Sequence, residues 1–171
     1  LVINRKPCGV IHPKLNEIIH KDFFDLSEIE NQLVGYNACY FCAGVSSIGK
    51  SEDEYRKITY DITLNFAKTL AKLNSQMLFT YVSGTGTDST EKGKIMWARI
   101  KGKTENDLLK LGFKNAYMFR PGYIQPINGL KNTYKIYKIT SPFYPILEKL
   151  FSKHVITLDE LGNSMVNVTL N

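Results

Sequence analysis

Ser51-Glu52-Asp53-Glu54-Tyr55-Arg56-Lys57-Ile58-Thr59-Tyr60-Asp61-Ile62-Thr63-Leu64-Asn65-Phe66-Ala67-Lys68-Thr69-Leu70-Ala71-Lys72-Leu73, then Met77-Leu78-Phe79-Thr80-Tyr81-Val82, is the stretch on which the fold turns. Ser51 and Glu54 have the spacing of a capping box, in which each residue satisfies a free backbone N–H of the other. Tyr55, Ile58, Ile62, Phe66, Leu70 and Leu73 recur at intervals of three and four, which puts them on one face of a long amphipathic helix. The apolar run from Met77 to Val82 reads as a buried strand.

Toward the N-terminus the alternation continues. Ala38–Ala43 is a strand. Leu26–Leu33 is a short helix stopped near Gly35. Glu17–Ile19 and Leu1–Ile3 are brief strands separated by a loop holding Pro7, Gly9 and Pro13. Toward the C-terminus, a polar loop at 84–90 leads to a helix from about Ile95 to Leu111, stopped by Gly112. Ala116–Phe119 is a further strand, ending at Arg120-Pro121-Gly122. Residues 123–156 break the rhythm, with three of the six prolines and several tyrosines (Tyr123, Tyr134, Tyr137, Tyr144). Pro145–Phe151 reads as a short helix. Thr157-Leu158-Asp159-Glu160 is a second capping box, with Ile156 and Leu161 placed as its hydrophobic staple.

Short apolar strands alternating with amphipathic helices predict an α/β fold, a doubly wound parallel sheet covered on both faces. Leu1–Asn4, Glu17–Ile19, Ala38–Cys42, Leu78–Val82 and Tyr117–Phe119 are expected as parallel strands of one sheet. Residues 1–125 form the core, 126–156 a small lid, and 157–171 a helix returning to the core. In such sheets ligands bind beyond the C-terminal strand ends.

Composition narrows the function. The 171 residues are 43% hydrophobic and 22% charged, an ordinary globular balance. No apolar run approaches the ~18 residues of a membrane span. A net charge of +6 suits an anionic ligand, but the basic residues are scattered, with Lys131, Lys135 and Lys138 the nearest to a stripe. A nucleic-acid partner is therefore not expected, nor a membrane. Cys8, Cys39 and Cys42 form no disulfide framework, which points to a reducing, cytoplasmic setting. Cys39 and Cys42 match C-x-x-C, but three residues along a strand turns their sulfurs to opposite faces, so they read as packing residues. His12, His20 and His154 lack metal-ligand spacing, and no metal is expected.

The strand ends carry the chemistry. Arg5 follows the first strand where an acid would accept from a ribose 2′-hydroxyl. An Arg there favours a 2′-phosphate, hence NADP over NAD; a solvated surface Arg is the other reading. Asp22-Phe23 follows the second strand. Phe41-Cys42-Ala43-Gly44 follows the third, with small residues that admit close ligand approach. Ser83 ends the fourth and can bond a substrate oxygen. Trp97 and Lys101 share one helical face.

In order and spacing these elements resemble the short-chain dehydrogenases/reductases, in their extended and atypical branches. The similarity lies in Asp22-Phe23 at the adenine contact, Phe41-Cys42-Ala43-Gly44 at the Asn-Asn-Ala-Gly strand end, Ser83, Lys101 of Tyr-x-x-x-Lys, and Arg120-Pro121-Gly122 beside the nicotinamide. The resemblance implies an NADP-binding Rossmann protein, reductase- or epimerase-like, acting on a carbonyl or alcohol and forming a homodimer. Arg5, Asp22, Phe23, Ala43, Gly44, Lys101, Pro121 and Gly122 would contact cofactor. Ser83, Trp97, Lys101 and Tyr123 would form the catalytic side.

Two departures stand out. Trp97 replaces the family's catalytic Tyr, and an indole N–H does not titrate near neutral pH. The proton would have to come from Tyr123 or, second, Tyr81. The glycine-rich fingerprint is missing as well. Leu1–Asn4 resembles the family's second strand, so one βα unit, holding the central strand, is expected to be absent. Strands 1–4 and 38–42 should then not be hydrogen-bonded. The alternative function is a non-catalytic NADP sensor or scaffold, similar to NmrA-like members that lose the Tyr.

Overall fold

The computed structural model describes residues 1–127, 149 and 154–170. It is an α/β protein in which every strand pair is parallel. In chain order it contains β1 (Val2–Asn4), β2 (Glu17–Ile19), a 3-10 turn (Glu30–Gln32), β3 (Ala38–Phe41), α1 (Glu52–Arg56), a π-turn (Lys57–Asp61), α2 (Ile62–Leu73), β4 (Leu78–Val82), α3 (Met96–Leu108), β5 (Asn115–Phe119), β6 (Tyr123–Gln125), β7 (Val155–Thr157) and α4 (Leu158–Leu170). The arrangement is Rossmann-like.

Both capping boxes form. Ser51 and Glu54 bond reciprocally at the start of α1. The Thr157 hydroxyl accepts from the Glu160 N–H at 3.1 Å while the Glu160 carboxylate accepts from the Thr157 N–H at 2.8 Å. Tyr55, Ile62, Phe66 and Leu70 are buried, as their spacing requires, together with Met77, Phe79 and Tyr81 of the strand that follows. The π-turn inserts within this helical run, so the helix carries a local widening that the side-chain periodicity does not reveal. The short helix expected at Leu26–Leu33 is reduced to the 3-10 turn. Leu26, Ile29 and Leu33 are nonetheless buried in the core.

The sheet is interrupted, in keeping with the expected lack of its central strand. The five strands fall into a pair, β1–β2, and a triplet, β3–β4–β5. The physical reason lies in the sequence: no strand among the described residues joins β1 to β3. The two are not hydrogen-bonded, as the absence of a central strand requires. A third parallel pair, β6–β7, was not foreseen. It brackets the stretch read as a lid, and it explains Gly122: a Cβ there would overlap the His154 carbonyl oxygen just before β7. The expected helix at Pro145–Phe151, the basic residues Lys131, Lys135 and Lys138, and Tyr134, Tyr137 and Tyr144 lie outside the described residues.

Candidate functional site

β1 and β3 face one another across a gap, the place where the resemblance puts the central strand. The walls of the gap are Val2–Lys6 on one side and Ala38–Gly44 on the other, over a floor of Leu33, Phe66, Leu70 and Met77. Four sequence-predicted cofactor residues meet on it: Arg5, Phe23, Ala43 and Gly44. They cluster at the C-terminal ends of the parallel strands. The Arg5 guanidinium stands 5.8 Å from the Phe23 ring centroid, close enough for a cation–π contact. Phe23 is braced edge-on by Phe66 at 5.1 Å, and its carbonyl accepts from the Asn65 amide. The ring is therefore fixed by α2, while the Arg5 head remains exposed. Asp22 does not line the gap. Its carboxylate accepts from the Phe24 N–H at 2.9 Å and so shapes its own turn.

Ser83, Trp97 and Lys101 gather at the end of β4. Lys101 Nζ donates to the Ser83 carbonyl oxygen at 2.8 Å. Burial pushes the Lys101 pKa down to about 8, and the Glu105 charge opposes that shift. The Trp97 indole lies against the loop after Ser83, and a Cβ on Gly86 would meet it at 3.5 Å. The Ser83 hydroxyl is buried and within 2.8 Å of the Thr87 hydroxyl. Thr87 donates in turn to the Gly84 carbonyl at 2.7 Å. The Thr87 proton being committed, Ser83 is the donor of that pair. Tyr123 bonds Gln125 at 3.0 Å within β6. Tyr81 is 1% exposed and burial pushes its phenol pKa well up, so it is a core residue. Neither Ser83, Trp97, Lys101, Tyr123, Pro121 nor Gly122 lines the β1–β3 gap.

Sequence reasoning missed the network that joins β4 to β5. Glu105, one turn beyond Lys101 on α3, is 2% exposed; its two carboxylate oxygens share the single Arg120 Nε–H, at 3.0 and 3.1 Å, and Oε2 also accepts from Arg120 Nη2. Thr85 donates through its hydroxyl to the Arg120 carbonyl at 2.9 Å and through its N–H to the Pro121 carbonyl at 2.8 Å. The i, i+4, i+8 spacing of Trp97, Lys101 and Glu105 was the available signal. The cysteines are free. Cys39 has its thiol pushed up to about 12 by desolvation, which leaves no reactive thiolate near neutral pH. Cys42 is exposed at the mouth of the gap rather than packed. Among the described residues no His, Cys, Asp and Glu group could hold a metal, and no helix is long and apolar enough to cross a membrane.

No protein-family model matches the chain. It is 27% identical over 124 residues to "Protein FMP52-1, mitochondrial" of Scheffersomyces stipitis, covering 71% of this chain and 54% of that protein. It is 30% identical over 111 residues to "Protein FMP52, mitochondrial" of Candida albicans, covering 64% and 47%. Rat "Protein HTATIP2" is 26% identical over 103 residues, covering 60% and 41%. The chain thus spans about half the length of the curated relatives it matches. The cytoplasmic expectation is corrected by these names, since the relatives from Kluyveromyces lactis and Emericella nidulans are also named mitochondrial. The fold is Rossmann-like, and the chain is similar to these relatives at low identity.

Proposed function

We propose that this protein binds NADP in the manner of an atypical short-chain dehydrogenase/reductase, and that it works in mitochondria, as its fungal relatives are named to do. The observation that carries the reading is that Arg5, Phe23, Ala43 and Gly44 all stand beyond the C-terminal ends of parallel strands, with the Arg5 guanidinium 5.8 Å from the Phe23 ring. A guanidinium beside an aromatic ring suits a phosphorylated adenosine: the ring stacks on the base and the cation pairs with the 2′-phosphate. The cofactor would supply hydride-transfer chemistry when bound. Lys101 stands ready to donate at the β4 end, and Ser83 to orient a substrate oxygen once its bond to Thr87 opens.

Whether turnover follows depends on a proton source. Trp97 supplies none, Tyr81 is buried, the Ser83 hydroxyl is turned to Thr87, and the Tyr123 hydroxyl donates to Gln125 within β6. These observations favour the non-catalytic reading, a cofactor sensor or scaffold, over a reductase or epimerase. The test uses protein carrying the βα unit that the resemblance places before Leu1. Calorimetric titration should show NADPH binding more tightly than NADH, and Arg5→Glu should abolish the difference. Equal affinities in both proteins would remove Arg5 from the site. Absence of binding to either nucleotide would overturn the reading.

A further inference from the structure

Trp97, Lys101 and Glu105 form a single stripe on α3, and each grips a different part of the two loops that follow β4 and β5. Trp97 covers Gly84 and Gly86. Lys101 holds the Ser83 carbonyl. Glu105 holds the Arg120 side chain, whose outer nitrogen also reaches the Ser89 hydroxyl at 2.5 Å. The backbone of Arg120-Pro121 is meanwhile held by Thr85 from the β4 loop. Arg120 is thus fixed at both ends: its guanidinium on α3, its carbonyl on the β4 loop. A carboxylate as buried as Glu105 is stable only with a hydrogen-bonded cation, and the planar guanidinium matches it with paired contacts. Both Glu105 oxygens are engaged by Arg120.

We infer that Glu105 is a positioning residue: by holding Arg120 it sets the Arg120–Gly122 loop beside the β4 end, the loop for which the resemblance implies nicotinamide contact, while leaving Arg5 and Phe23 untouched. This rests on the NADP reading above. The two regions are built from different elements. Arg5 and Phe23 follow β1 and β2, whereas the Glu105 network joins only α3, the β4 loop and the β5 loop.

The experiment compares two probes, NADPH and adenosine 2′,5′-bisphosphate, on the wild type, Glu105→Gln and Arg120→Lys. NADPH affinity should fall roughly tenfold in Glu105→Gln, the equivalent of one lost hydrogen bond, while the bisphosphate binds all three proteins alike. Arg120→Lys keeps the charge but loses the paired geometry, so it should fold and show a smaller loss of the same sign. A merely structural role would lower the melting temperature and weaken both probes together, or neither, and either pattern overturns the inference. Should Glu105→Gln not fold, an unchanged NADPH affinity in Arg120→Lys overturns it as well. Failure of the wild type to bind the bisphosphate would instead strike the NADP reading itself.

Discussion

At the scale of single residues, Trp97 decides what chemistry remains. A Tyr at that point of α3 would present a phenol near Lys101, and general acid catalysis of that kind contributes typically ~10²–10⁴-fold. Wild-type protein should therefore show little or no NADPH oxidation across a panel of aldehydes and ketones, and Trp97→Tyr should raise it. Robust wild-type turnover unchanged by the substitution would place the proton source elsewhere, with Tyr123→Phe as the next measurement. Lys101 makes a second prediction. Its folded pKa of about 8 lies below the ordinary 10.5, so between those values the unfolded chain binds more protons. Stability should therefore rise with pH across that window. Urea midpoints for wild type minus Lys101→Met should climb from pH 8 to 10.5; a flat difference would mean the lysine is not held as described. Gly102 makes a third. A Cβ there would overlap the Asp88 carbonyl where α3 crosses the loop backbone. Gly102→Ala should cost at least ~1–3 kcal/mol, the scale of overpacking, despite the better helix propensity of Ala. Thermal melts would settle its sign.

At the scale of elements, the readable ones are those whose local signals agree. The α1–α2 run has a reciprocal cap, a clean apolar stripe and a buried strand after it, and it forms where the sequence places it. Removing the cap should matter in proportion: Ser51→Ala should destabilise by ~1 kcal/mol, read as a shift in urea midpoint, and no shift would show the helix end is held by packing alone. What was not legible is equally local. The π-turn leaves no mark on a pattern of threes and fours, because both lie within one turn of either helix type. The β6–β7 pair joins three-residue strands far apart in sequence, and Pro126 and Gly122 beside them read as loop punctuation. Glu105 looks like any solvent-facing helical acid until Arg120 is brought to it by the β4–β5 pairing.

At the scale of the whole molecule, alternation alone was enough for the fold class and for the parallel sense of the pairs among β1 to β5. The break between β1 and β3 was legible too, from the place of Leu1–Asn4 in the order of elements, whereas the β6–β7 pair was not. That Arg5, Phe23, Ala43 and Gly44 would come near one another was legible because each lies in the segment that follows a strand, and strand ends converge in any parallel sheet. Ser83, Trp97 and Lys101 do assemble at the β4 end, but the sequence could not show that the Ser83 hydroxyl would be hydrogen-bonded to Thr87.

The place of β4 in its triplet reaches beyond ligand binding. It is hydrogen-bonded on both sides, to β3 and to β5, and Phe79, Thr80 and Tyr81 are almost wholly buried. Amides held in this way open only with the cooperative unit around them. Hydrogen–deuterium exchange should therefore label the Phe79–Val82 peptide last within the triplet. A β4 peptide that labels together with Tyr117–Phe119 would show that the triplet opens strand by strand.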